Sequence, residues 1–244
     1  MTDMLTRPGL PALAYEFRAG AGPTIVFLPG FASNMQGSKA IALDAWAARE
    51  GRAMLRFDYA GCGESEGDFE EGTLSGWRDD ALHLIDSLVE GPVILVGSSM
   101  GGWIMLLIAL ARPDRVAGLV GVAAAPDFTD WGFDDTIRAQ IEADGLIARE
   151  SPYDDSVTVI TLPFWQSGQD NCLLGGPIAV DCPVRLLHGM EDADVPPSIA
   201  FRLGRAVRSA DVQTILVKQG DHRLSRPQDL GLLLTTVNAL IEGL

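Results

Sequence analysis

A chain of 244 residues, 47% hydrophobic and 21% charged, has the composition of one globular domain with a large core rather than that of a disordered chain. Its formal net charge of −15 argues against nucleic acid or an anionic membrane surface as a partner, because both are bound through positive charge. Three widely spaced cysteines, Cys62, Cys172 and Cys182, fit neither a disulfide framework nor a zinc site, so no metal is expected and the thiols should be reduced.

The start, Met1 to Pro8, has no basic stretch followed by an apolar one, so no secretory signal is expected and the protein is expected to be cytoplasmic. Pro8 to Pro11 reads as a turn-rich lead-in to a first strand, Ala12–Phe17. Gly20-Ala21-Gly22-Pro23 is a turn, and Thr24–Leu28 a buried strand that ends at Pro29-Gly30-Phe31. Lys39–Arg49 carries Ile41, Ala45, Trp46 and Ala48 at helical spacing. Ala53–Phe57 is the next strand, and it runs into the glycine-rich loop Asp58 to Ser65. Leu74–Leu88 is an amphipathic helix, broken by Gly91-Pro92.

Val93-Ile94-Leu95-Val96 then reads as a buried strand, and Trp103–Ala111 as a helix. Between them Gly97-Ser98-Ser99-Met100-Gly101 fits Gly-x-Ser-x-Gly, the turn that lifts a serine above the end of a sheet. Gly97 and Gly101 belong to that turn because a Cβ at either would meet the neighbouring strand or helix. The uncharged run from Gly91 to Ala111 is long enough for a membrane span, but five Gly and Ser residues at its centre argue against stable insertion.

Arg112-Pro113-Asp114 is a stop, and Val116–Ala123 another buried strand. The strand–helix rhythm then fails. From about residue 127 to 182 one helix is expected, Asp134–Ala148, followed by the β-branched patch Val157–Thr161 and the pair Phe164-Trp165. An insertion this long predicts a small cap over a site, the alternative being an excursion that covers nothing. The rhythm resumes with a strand at Val184–His188, a helix at Ile199–Val207, a strand at Val212–Val217 and a helix at Gln228–Ile241. Alternation of strand and helix predicts an α/β fold, with a mostly parallel central sheet flanked by helices, in a single domain over 1–244.

A serine hydroxyl needs a base within hydrogen-bond reach, and the base needs a group to orient it. Of the three histidines, His83 lies mid-helix and His188 closes a strand as a packed structural residue. His222 follows the last strand, and in a parallel sheet the loops at the strands' carboxyl ends gather at one edge. Ser99 is therefore the expected nucleophile and His222 its base. Glu191, Asp192 and Asp194 all follow the penultimate strand. Their spacing from Gly189 and Val195-Pro196 favours Asp192 as the orienting acid. The backbone N–H groups of Met100 and Phe31 are the expected oxyanion donors. Asp58, at a strand end, is expected to brace its own loop.

Phe57-Asp58-Tyr59-Ala60-Gly61, Gly97 to Trp103, Cys182 to Met190 and Gly220-Asp221-His222-Arg223 together resemble the α/β-hydrolase superfamily. Within it, they resemble the palmitoyl-protein thioesterase and acyl-glucuronide esterase family, over nearly the whole chain. The resemblance implies an α/β-hydrolase fold and a Ser99, Asp192, His222 triad. It also implies cleavage of carboxylic esters or thioesters through an acyl-enzyme, with no metal or cofactor, on a small-molecule or acylated-protein substrate. The start of the chain departs from the mitochondrial family by lacking a transit peptide, which fits the cytoplasmic expectation. The competing readings are an amide or peptide hydrolase, and a ligand-binding protein on a disused hydrolase scaffold.

Overall fold

The computed structural model describes residues 2–150 and 157–244. The chain opens with a hairpin in which β1 (Asp3–Arg7) pairs antiparallel with β2 (Leu10–Arg18). Pro8-Gly9, expected as a lead-in, is the hairpin turn, with Gly9 at φ 73°. β1 is not expected from the sequence, because its side chains lie at an exposed edge and form no apolar run. β3 (Ala21–Leu28), α1 (Ser38–Arg49), β4 (Arg52–Phe57), α2 (Leu74–Leu88), β5 (Val93–Ser98), α3 (Met100–Ala111) and β6 (Val116–Val122) follow close to the expected positions.

The insertion differs from expectation. It holds the short α4 (Phe128–Trp131), then α5 (Asp135–Asp144), β7 (Leu146–Glu150), β8 (Val157–Thr161) and α6 (Leu162–Asp170). The single expected helix stops early because Gly145 adopts a left-handed conformation at φ 80° and caps α5, its N–H donating to Ile141 O. Leu146–Glu150 then pairs antiparallel with Val157–Thr161 in a separate two-stranded sheet. α6, a helix not expected from the sequence, carries a start signal: the Thr161 hydroxyl accepts from the Phe164 N–H, and Pro163 lies in the first turn. Residues 151–156 of the expected insertion lie outside the described residues.

β9 (Val184–Gly189), α7 (Ser198–Ala206), β10 (Val212–Val217) and α8 (Pro227–Glu242) complete the chain. The main sheet has the order β1-β2-β4-β3-β5-β6-β9-β10. β2 meets β4 antiparallel, and every pairing from β4 to β10 is parallel.

Strand alternation divides the core into two layers. Ile25, Phe27, Ile94 and Val96 face α1 and α8, where Leu43, Trp46, Leu233 and Val237 pack on them. Val26, Leu28, Val93 and Leu95 face the opposite way, toward Trp77, Leu84, Trp103 and Ile104 on α2 and α3. Each such fully buried Val, Leu or Ile contributes about 1.5–3 kcal/mol over an exposed one. α3 is buried over most of its circumference, which explains why its sequence is apolar without amphipathic spacing. Among the described residues no helix is long and apolar enough to cross a membrane.

Hydrogen bonds brace the insertion internally and fasten it to the body. The Asp127 carboxylate accepts the Leu173 and Leu174 N–H groups at 2.8 and 2.6 Å. The Trp103 indole of α3 donates to Asn171 O at 3.0 Å, and the Ser75 N–H of α2 donates to Ser167 Oγ at 3.0 Å.

Candidate active site

The turn between β5 and α3 is held by close backbone contact. A Cβ on Gly97 would lie 2.4 Å from Gly101 O, and one on Gly101 would lie 2.0 Å from Leu28 O. Ser99 sits between them at φ 53°, ψ −120°, a conformation costly for a residue with a side chain. Its N–H donates to Val122 O, and its carbonyl accepts the N–H groups of Gly102 and Ala125. These bonds fix the backbone and leave the hydroxyl at the carboxyl edge of the sheet.

The loops after β9 and β10 meet at the same edge. A Cβ on Gly189 would stand 2.3 Å from Gly220 O, so only glycine lets the two loops touch. Met190 N–H donates to Val217 O and Glu191 N–H to Gly220 O, which binds one loop to the other. This places His222 Nε2 3.1 Å from Ser99 Oγ and His222 Nδ1 2.9 Å from Asp192 Oδ2. The other carboxylate oxygen of Asp192 accepts the N–H groups of Asp194 and Val195 at 2.9 and 2.8 Å. Ser99, His222 and Asp192, expected together from the sequence, are thus brought into one hydrogen-bonded chain. Asp194 and Glu191 remain exposed, and His83 is exposed on α2.

Burial alone would push the Asp192 carboxyl up. Hydrogen bonds from His188, His222 and the Val195 N–H, with the charge of His222, outweigh that and hold it well below the usual carboxylate range. His188 was expected only to pack. It is buried, but its Nε2 lies 2.9 Å from Val195 O and 3.3 Å from Asp192 Oδ2. The signal that could have found it is its place at a strand end, four residues before the expected acid.

The expected oxyanion donors flank the serine. Met100 is the first residue of α3, where an N–H has no helical acceptor. The loop after β3 abuts the turn, since a Cβ on Gly30 would stand 3.3 Å from Ser98 O and from Ser99 Cβ. Phe31 follows Gly30, and its ring packs against Phe69, Trp77, Phe128 and Phe164 with centroids 4.8–6.2 Å apart. Asp58 braces more than its own loop. One oxygen accepts the Glu64 N–H at 2.8 Å, and the other accepts the Met35 N–H at 2.7 Å in the loop that carries Phe31. Burial raises its carboxyl above the ordinary value despite both bonds.

A cavity of about 480 Å³ opens on Ser99 and His222. Phe31, Phe128, Trp131, Phe133 and Ile160 form its apolar wall, and Lys39, Arg149 and Arg223 its cationic positions. Burial and the adjacent Arg223 lower Lys39 to about 8. The thiols do not offer a rival nucleophile. Burial pushes Cys62 up to about 12 and Cys172 and Cys182 up to about 11, so all three stay protonated near neutrality. Ligand atoms of Asp192, Asp194 and His222 lie within 4.8 Å of one another. His222 Nδ1 and Asp192 Oδ2 already bond each other, so a cation there would break the chain to Ser99.

A mostly parallel sheet with a serine on a strained strand–helix turn, and a histidine and an aspartate on later loops, defines an α/β hydrolase. The model of the Alpha/beta hydrolase family matches residues 25–230, and the chain belongs to that family. The mitochondrial palmitoyl-protein thioesterase ABHD10 of Bos taurus is 45% identical over 246 residues, spanning 99% of this chain and 80% of that protein. Its Homo sapiens counterpart is 43% identical with the same coverage. The solved structure of alpha/beta hydrolase domain-containing protein 10 from mouse matches with a TM-score of 0.94 at 42% identity, covering 100% of this chain and 99% of its own.

These relatives correct one expectation. Proteins this similar are named mitochondrial, which points to mitochondria rather than the cytoplasm. The cysteines are free, and free thiols distinguish a reducing compartment from an oxidising one but not one reducing compartment from another.

Proposed function

We propose that the chain is a serine hydrolase that cleaves carboxylic thioesters or esters through an acyl-enzyme, with Ser99 as nucleophile, His222 as base and Asp192 as orienting acid. The observation that carries this reading is the hydrogen-bonded chain from Ser99 Oγ through both nitrogens of His222 to Asp192 Oδ2. His222 Nε2 takes the proton as Ser99 Oγ attacks the acyl carbon. Asp192 holds the other nitrogen as N–H and stabilises the imidazolium. The carbonyl oxygen, now negative, receives the N–H groups of Met100 and Phe31. Collapse expels the thiolate or alkoxide, which takes the proton back from His222. Water then repeats the sequence and releases the acid.

The relatives named as palmitoyl-protein thioesterases support an acyl substrate, carried by a protein or a small molecule. Segment 127–182 is proposed as the cap that selects it. Phe128, Trp131, Phe133, Arg149, Thr158 and Ile160 all belong to that segment and line the cavity that opens on Ser99, which supports covering over mere excursion. The cavity volume is of the size that holds a small ligand or an acyl group.

The test is twofold. A fluorophosphonate probe should label the wild-type protein at Ser99 and leave Ser99→Ala unlabelled. In a matched thioester, ester and amide series, Ser99→Ala should lose at least about a thousandfold in kcat/KM on the cleaved substrates. Turnover near the wild-type rate in Ser99→Ala would refute the proposal, and preference for the amide would move it to another reaction.

A further inference from the structure

Of the three histidines, His188 is the buried one for which the proposed reaction has no task; its side chain is 1% exposed at the end of β9. Its Nε2 lies 2.9 Å from Val195 O. A carbonyl only accepts, so this nitrogen carries the hydrogen. The same nitrogen lies 3.3 Å from Asp192 Oδ2, the oxygen that faces His222. The hydrogen is therefore forked between the Val195 carbonyl and the carboxylate.

We propose that His188 is a positioning residue for Asp192: its Nε2–H holds Asp192 Oδ2 and the Val195 carbonyl at once, and so fixes the carboxylate plane that orients His222. The inference rests on the reading of Asp192 as the acid of the triad. An aspartate's terminal torsion is broad, so rotamer preference does not set that plane and hydrogen bonds must. Two backbone N–H groups hold Oδ1. Without His188, Oδ2 keeps one named partner, the imidazole that moves charge in each cycle. The Val195 carbonyl closes the device. The loop's N–H of Val195 binds the carboxylate, and its C=O binds the imidazole that binds the same carboxylate. The ionisable groups facing Asp192 are His188 from β9, His222 from the loop after β10 and Asp194 from its own loop. A core position that needed only bulk would accept any apolar side chain of that size. The forked hydrogen bond is what such a residue cannot supply.

The experiment compares His188→Met, which keeps volume and removes the donor, with His188→Gln, whose amide nitrogen reaches close to the Nε2 position. His188→Met should lower kcat roughly tenfold with KM changed by less than about twofold, since His188 does not line the cavity. His188→Gln should recover most of that loss. The acidic limb of the kcat/KM profile should move upward in His188→Met. With one donor fewer, the carboxylate favours protonated His222 more strongly. It should stay in place in His188→Gln. A packing role alone would lower thermal stability and leave the limb unmoved. A folded His188→Met with wild-type kcat and limb, or His188→Gln as impaired as His188→Met, would overturn the proposal.

Nitrogen-15 spectra of the wild-type protein test it without a variant. His188 should carry its hydrogen on Nε2, and the opposite tautomer overturns the assignment. Ser99→Ala separates the two levels. Undiminished turnover there refutes the triad itself, whereas the His188 comparison in an enzyme that depends on Ser99 tests His188 alone.

Discussion

Replacing Asp192 by Asn keeps the shape of the side chain and inverts what half of it offers. Oδ1 accepts the N–H groups of Asp194 and Val195, while Oδ2 faces His222 Nδ1 at 2.9 Å. An amide has one acceptor oxygen and one NH₂. The two backbone bonds, each worth about 1 kcal/mol, select the orientation that keeps the amide oxygen in the Oδ1 place. The NH₂ then stands where Oδ2 stood and donates to His222 Nδ1. The imidazole must carry its hydrogen on Nε2, 3.1 Å from Ser99 Oγ, and can no longer accept the serine proton. Loss of the correct tautomer lowers kcat about ten-thousandfold, or about 5.5 kcal/mol at the transition state. The fold loses far less. The two backbone bonds survive, and the His188 N–H loses its share of the carboxylate but keeps the Val195 carbonyl, so the melting temperature should fall by only a few degrees. The assay is steady-state thioester hydrolysis near neutral pH with a thiol trap, run beside a thermal melt of the same preparation. A folded Asp192→Asn enzyme within about tenfold of the wild-type kcat would refute the reasoning.

Gly101→Ala should yield no soluble folded protein. Ala in place of Gly normally favours a helix by about 1 kcal/mol, but here the added Cβ would meet backbone oxygen at 2.0 Å on Leu28 and 2.6 Å on Pro29. Recovery of a stable, active Gly101→Ala would show that the turn is not built on that contact. Asp192 also shapes acid stability. Its carboxyl is held below its ordinary value of 3.8, so its stabilisation is complete above that pH and is lost as pH falls through the depressed value. Below about pH 4 the urea midpoint of the wild type should fall more steeply than that of Asp192→Asn. Parallel curves would count against the hydrogen bonds assigned to it.

The parallel sheet was legible because its strands are buried on both faces and read as short apolar runs between glycines and prolines. The proposed triad followed from it, since Ser99, Asp192 and His222 each stand on a loop at one sheet edge. Features that depend on distant partners were not legible. β1 is an exposed edge strand whose pairing with β2 carries no hydrophobic pattern. The β7–β8 hairpin was obscured because its first strand continues directly from α5, and the break rests on the left-handed turn at Gly145. The contact between His188 and Asp192 depends on the curl of the loop after β9, which brings the carboxylate back over the strand end. Asp58 looks like a local brace in the sequence because nothing in its neighbourhood announces Met35 as a partner.

Phe31 joins two requirements in one residue. Its N–H is the proposed oxyanion donor, and its ring touches Phe128 and Phe164 from the insertion and Phe69 and Trp77 from the body. An acyl chain that enters the aromatic wall would therefore press on the same residue that is proposed to receive the developing charge. Selectivity for chain length would then be expressed in the rate of the chemical step as much as in affinity, because binding energy far from the reacting carbon would be used to seat the proposed donor. A chain too short to reach the rings would bind and react slowly, so that the enzyme would measure its substrate by turnover.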